Sequence, residues 1–389
     1  MSSSDSLKRV LGTPSAVLLG LGSIIGTGIF VSVATATSIA GTGVLIAVAL
    51  GAVVATCNGL SSAQLAAAHP VSGGAYEYGY RYLGPLAGRA AGASFVIAKA
   101  ASAATAALGC ASYGLAVADL GSRTTQIGLA VAIAGALTLL VAGGMSRSAR
   151  VNAVIVGVTL LGLAAFVATG VPHVSTENLS LRGVSVRGVA HATALFFVAY
   201  TGYGRIATLG EEVRDPRHTV PRAIVIALVV TMVLYLAVTA TALGIGGAAG
   251  LSGNAPLEQL SPNPTVRYII SVAAITAMLG VILNLLLGIS RVVLAMARRG
   301  DLPRGLAVVH AHSPRRAVAV TGVAIGALAL IGSVKTTWTF SAFSVLIYYA
   351  IANLCALRQP ADERLFPRVV PVLGLVCCVG LALVILIVR

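Results

Sequence analysis

The chain has 389 residues, of which 57% are hydrophobic and only 10% charged, with a mean hydropathy of +0.95. Ordinary soluble domains carry about 25% charged residues, so this composition excludes a soluble enzyme and specifies a polytopic membrane protein. The net charge of +15 is read as arginine retained on the cytoplasmic side of a bilayer, not as a nucleic-acid footprint.

A bilayer core takes about 20 apolar residues per helix. In chain order, the apolar windows predict helices at 14–38, 42–67, 85–118, 124–144, 150–170, 188–210, 221–247, 266–297, 316–333, 337–357 and 368–388, eleven in all. Residues 1–13 read as a short cytoplasmic tail that is retained, since no cleavage site follows it. With that tail inside, 17 of the 26 Lys and Arg residues fall in inner connections and 6 in outer ones, which places the N-terminus in the cytoplasm and the C-terminus outside.

The first helix holds "LGSIIGTGIF", where Gly22, Gly26 and Gly28, with Gly20 just before them, crowd an otherwise continuous apolar run. Glycine costs about 1 kcal/mol relative to alanine inside a helix. Close packing against a neighbour is one reason to keep it, and a break in the helix is another. The sixth helix contains a second such run, "FFVAYTGYGRIATLGEE". Splitting the chain into helices one to five (14–170) and six to ten (188–357), joined by an outer loop at 171–187, puts a glycine-interrupted helix at the head of each half. Five is odd, so the halves insert in opposite directions. This is the expected signature of an inverted-repeat secondary transporter, with its substrate site where two discontinuous helices face each other near the midplane. Residues 358–389 form an inner loop and one additional helix.

A broken helix in a water-lined cavity exposes backbone N–H groups that hold an anion, and carbonyls that hold a cation. An α-amino acid carries both charges on one carbon and fits such a site without a charged side chain from the protein.

Lys99 lies near the middle of the third helix, where a charged amine costs at least about 2.5 kcal/mol. It must be paired, face water, or be neutral for part of a cycle; proton carriage and a structural hydrogen bond to a helix break are both open. Arg205 follows the second break and reads as a gate residue with Glu211 and Glu212, or as a contact for a substrate carboxylate. The five cysteines and six histidines show no metal-ligand spacing, no nucleotide fingerprint sits in a βαβ context, and no Walker motif is present. Neither a metal nor a cofactor is expected.

"GSIIGTGIF", "HPVSGGAYEYGYRYLGP", "FFVAYTGYGRIATLGEEVRDPRHTVPRAI" and "GISRVVLAMARRGDLP" together resemble the amino acid, polyamine and organocation superfamily, most closely its prokaryotic amino acid permeases. The resemblance runs from about residue 10 to 357 and implies the leucine-transporter fold, a 5+5 inverted repeat. Many members carry twelve helices, where eleven are counted here. It carries the carboxylate-binding motif onto Gly26, Thr27 and Gly28, with Ser23 and Ile24 before the break. It carries the surroundings of the amino group and side chain onto Phe197, Val198, Tyr200, Thr201 and Gly202. Some amine-exchanging relatives have a large aromatic residue at the position of Val198 and a glutamate at that of Gly204; with both absent, neutral amino acids are the expected substrates.

Proton-coupled members often keep a lysine in helix five at the position that aligns with Thr159, here uncharged. Lys99 then supplies the amine from helix three, or sodium binds at carbonyls near Gly22 and Ile25 with a helix-eight hydroxyl such as Ser290. The reading is an amino acid transporter of the plasma membrane working by alternating access, with helices one, two, six and seven rocking against three, four, eight and nine. Its expected partners are the substrate, a proton or sodium ion, and the lipid bilayer. The rivals are an exchanger of polyamines or other organic cations, a membrane sensor that keeps the fold without transport, and an ion channel.

Overall fold

The computed structural model describes residues 12–69, 73–118, 122–144, 149–181, 183–207, 213–251, 253, 255–309 and 314–387, and the described residues form helices and turns without a strand. The helices are α1 (Thr13–Ile24), α2 (Thr27–Phe30), α3 (Ser32–Ala40), α4 (Val44–Ala68), α5 (Ala75–Tyr82), α6 (Pro85–Val117), α7 (Arg123–Ala142) and α8 (Ala149–Gly170). They continue as α9 (Val186–Tyr200), α10 (Gly204–Ala207), α11 (Pro216–Gly250), α12 (Pro256–Gln259), α13 (Pro264–Arg299), α14 (Arg315–Ala329), α15 (Val334–Arg358) and α16 (Val369–Ile387). Nine stretches of the described residues are long and apolar enough to cross a membrane, one of them running through the turn at Gly41–Gly43. The predicted spans at 188–210 and 316–333 fall on α9 and α14, each a helix of 15 residues and so below that length.

In a bilayer every backbone polar group must be satisfied within the chain, which is why these apolar runs coil rather than extend. What brings the helices together is small side chains. The run "AKAASAATAALGCASYG" lets the middle of α6, residues 98–113, bury completely between α13 and α15. At Gly109 an added Cβ would stand 2.8 Å from both Met278 and Val31, so the glycine lets three helices meet. Gly51 plays the same part between α4 and α9, where a Cβ would come within 3.0 Å of Phe196. Polar bridges then fix the register: Ser341 donates to the Ala98 carbonyl at 2.9 Å, and Asn353 donates to Asn58 Oδ1 at 2.7 Å. Cys378 of α16 reaches the same Asn58 oxygen at 3.2 Å, tying the last helix to α4 and α15.

One element goes beyond the sequence expectation. The stretch "AYEYGYRY" forms the amphipathic helix α5 instead of a plain connection. Tyr76 and Tyr80 donate to the carboxylate of Asp301 at 2.7 to 2.8 Å, and Arg299 pairs with Glu77 while lying 4.1 Å over the Tyr80 ring. Burial and the Asp301 carboxylate push both phenols above their ordinary range. Tyr82 and Arg81 engage Glu363 at 2.7 and 3.6 Å. The α5 helix is thereby clasped to the end of α13 and to the turn before α16.

Candidate functional site

The first helix breaks after Ile24. Ile25 takes an extended backbone, α2 restarts at Thr27, and Ile29 and Phe30 both donate back to the Gly26 carbonyl. This leaves Gly26, Thr27 and Gly28 at the start of a new turn, where N–H groups have no partner in their own helix. The second break follows Tyr200: Thr201–Tyr203 form a single 3-10 turn and α10 begins at Gly204.

The two breaks touch. A Cβ on Gly202 would fall on the Ser23 carbonyl, so only a residue without a side chain lets the second break cross the first here. Gly28 is equally enclosed, since a Cβ there would collide with the Tyr235 hydroxyl and stand 2.9 Å from the Ala199 side chain. Tyr235, from α11, is fully buried and donates to the Ile24 carbonyl at 3.0 Å, with the Ala199 carbonyl at 3.4 Å. Ile24 is the last residue of α1 and Ala199 lies in the last turn of α9, so both carbonyls belong to the end of an interrupted helix, where a continuous one would have satisfied them four residues on. One hydroxyl thus serves both breaks.

Lys99 reaches the same place from α6. Only 8% exposed, its Nζ donates to Thr201 Oγ1 at 3.0 Å, and that hydroxyl donates in turn to the Val198 carbonyl at 2.8 Å. Asn284 of α13 approaches the Ser23 hydroxyl at 3.5 Å, while Ser23 donates to Leu19. Behind the first break, Asn152 of α8 donates to the Leu18 carbonyl at 3.0 Å and fills the space that a Cβ on Gly22 would need.

Beside these groups lies a cavity of about 400 Å³. Of the expected substrate residues, Ser23, Ile24, Thr27, Gly28, Val198, Thr201 and Gly202 line it, as do Lys99 and Arg205. Gly26 instead packs its backbone on Val281, 2.6 Å from an added Cβ. Phe197 sits edge-on to Tyr349, and Tyr200 stacks with Tyr235 and donates to the Val48 carbonyl at 3.2 Å. These three support the wall without forming it.

The residues expected for ion binding are spread more widely. Thr159 donates to Ile155 at 2.7 Å and Ser290 to Leu287 at 3.1 Å, each hydroxyl turned onto its own helix, and Ile25 donates its N–H to Leu21. Glu211 and Glu212 lie outside the described residues. The cavity runs along one stripe of α13, through Val281, Asn284, Leu285 and Gly288 to Arg291, the i, i+3, i+4, i+7 spacing of a single helix face. Its described lining holds Lys99, Arg205 and Arg291 and no carboxylate.

Tyr235, Asn284 and Asn152 escape a reading of the sequence. For the two asparagines the available signal was a polar residue in an apolar run, "VILNLLLGIS" and "ARVNAVIV". For Tyr235 there was none beyond a single phenol in "TMVLYLAV".

Compared with known proteins, residues 11–389 match the family model described as amino acid permease. An uncharacterized transporter of Mycobacterium tuberculosis is 43% identical over 387 residues, covering 97% of this chain and 86% of that protein. A branched-chain amino acid permease of Bacillus subtilis is 29% identical over 98% of this chain and 89% of its own length. A methylthioribose transporter of the same organism is 30% identical over 89% and 82%.

Proposed function

The chain belongs to the amino acid permease family, and from that premise we propose that it is a secondary active transporter of neutral amino acids that works by alternating access. The observation that carries the proposal is the contact of the two helix breaks, Gly202 on Ser23, beside a cavity of about 400 Å³. The N–H groups of Thr27 and Gly28, which line the cavity, hold the substrate carboxylate with Gly26 packed behind them, and carbonyls at the end of α9 take the ammonium. Val198, Val281, Leu285 and Phe95 offer the side chain an apolar wall. A branched-chain permease among the relatives agrees with such a substrate.

The fold that goes with this function is eleven crossings in a 5+5 inverted repeat, with the N-terminus cytoplasmic, the C-terminus outside and α16 as the additional helix. The α9 and α14 segments then cross with help from their flanking turns. Polyamines and other dications are disfavoured because the described lining is cationic wherever it is charged.

Coupling is to protons through Lys99. Protonated, its amine donates to Thr201 and holds the second break in the observed form; deprotonated, it accepts instead, and the Thr201 hydroxyl is released from Val198. Proton transfer thus changes the backbone turn that forms the substrate site. Sodium is the alternative ion.

Purified protein in liposomes, given a panel of labelled amino acids under imposed pH or sodium gradients, tests the whole reading. Uptake of a neutral amino acid driven by an inward proton gradient is the expected result. No uptake or counterflow of any amino acid under any gradient refutes transport, and a non-saturable flux identifies a channel.

A further inference from the structure

A second cavity, of about 790 Å³, lies beyond Phe30 from the central one. It is walled by the outer turns of α3, the far end of α6 and the first turns of α7, α12 and α15. Phe30 lines it, whereas Thr27 and Gly28, one turn earlier, line the central cavity. Tyr113 donates to the Phe30 carbonyl at 3.2 Å and meets its ring edge-on, which fixes the partition between the two chambers.

The charges among the described lining residues of this chamber have one sign. Arg123 and Lys335 line it, with no Asp or Glu among its described lining residues. Glu258, between the lining residues Pro256 and Gln259, is taken up by Arg267 at 3.1 Å. Neither Arg123 nor Lys335 forms an ion pair among the described residues, which do not include Asp119.

The two cations also share one corner. Arg123 donates to the Ile331 carbonyl at 3.4 Å, and its Nε would stand 3.4 Å from a Cβ on Gly332, whose φ of +64° turns the chain into α15. Lys335 follows three residues later, in the first turn of α15. Ser122 and Ser333 cap α7 and α15 here, so the positive ends of two helices face the same chamber as the two cations. Holding like charges and two helix starts together costs free energy unless an anion enters between them.

We propose that this chamber is an entry site for the carboxylate of the incoming amino acid, held by Arg123 and Lys335 before Phe30 moves aside. The site rests on the transport reading for its ligand, but its electrostatics can be measured without transport.

The test places a thiol in the chamber with Ser38→Cys, an exposed lining position, and compares its reaction with an anionic sulfonate and a cationic trimethylammonium methanethiosulfonate reagent. The protein is held in nanodiscs so that both faces are open, and the unsubstituted chain corrects for its own five cysteines. Relative to a free thiol, the anionic reagent should be favoured by about threefold to tenfold at low salt, as expected for two unit charges acting across solvent. The preference should collapse in Arg123→Gln/Lys335→Gln and at high salt, and Arg123→Lys should keep it.

In liposomes, the double glutamine variant should slow uptake at low substrate by a similar factor and recover toward wild type at saturation. A reagent preference equal to that of a free thiol, or a KM that the double variant leaves in place, overturns the proposal. If the wild type carries no amino acid, the transport reading fails separately, and the reagent preference alone decides the fate of the entry site.

Discussion

Removing one oxygen at Tyr235 should loosen both helix breaks at once. Tyr235→Phe keeps the buried ring and its stacking with Tyr200, 5.1 Å between centroids, but deletes the hydroxyl that serves the Ile24 and Ala199 carbonyls. A buried acceptor left without a partner costs about 1–3 kcal/mol, and at 1.4 kcal/mol per decade this is roughly a 5- to 150-fold effect on an equilibrium. The cost falls on the state in which the breaks are docked, the one we propose holds substrate. Substrate Kd should therefore rise at least about fivefold, with a lowered thermal midpoint in detergent. Radioligand binding and a melting curve on purified protein measure the two quantities. Gly28→Ala supplies an internal check, since its Cβ meets the Tyr235 hydroxyl before anything else. Its penalty should be smaller in the Tyr235→Phe background than in wild type, though not abolished, because the Ala199 side chain still stands 2.9 Å away. A Tyr235→Phe variant with Kd within twofold of wild type and an unchanged melting curve refutes the bridging role.

Lys99→Met should abolish uptake driven by a proton gradient while leaving amino acid counterflow measurable, because it removes the titrating amine but not the backbone cradle; full proton-driven uptake in this variant would exclude Lys99 from coupling. Gly202→Ala should eliminate substrate binding, since its Cβ must displace the Ser23 carbonyl, whereas Gly204→Ala, whose Cβ meets only the Tyr349 hydroxyl at 3.2 Å, should retain it; equal binding by both would show that the breaks do not cross as described. His69, beyond the end of α4, has its imidazole held below its ordinary value of 6.5 by partial burial and by Arg81. The folded protein thus disfavours the protonated form, so His69 subtracts stability as pH falls through about 6.5 and has no such effect above it. Arg81→Gln should raise the His69 pKa in an NMR titration, and a fall would contradict this account.

The sequence alone located most of the helices and both interruptions, because hydropathy windows and glycine-rich runs are local properties that a bilayer makes decisive. The expected span at 316–333 outlasts α14, which ends at Ala329, and the one at 188–210 runs past α9 and α10 into residues 208–210, outside the described residues, where Glu211 and Glu212 follow. The amphipathic α5 was hidden because its ordering depends on Asp301 and Glu363, more than two hundred residues away.

The same distinction runs through the site. That Lys99 sits deep in the membrane follows from its place in "SFVIAKAAS", but its partner does not: Thr201 lies 102 residues on, and only the packing of α6 against the second break joins them. Tyr235 and Ile24 are 211 residues apart, and nothing in either segment announces the bond between them. Periodicity and glycine content say where a helix will run and where it can fail. Which hydroxyl covers the carbonyls freed by that failure is settled by the crossing of distant helices, and so only the tertiary structure could supply Tyr235, Asn284 and Asn152.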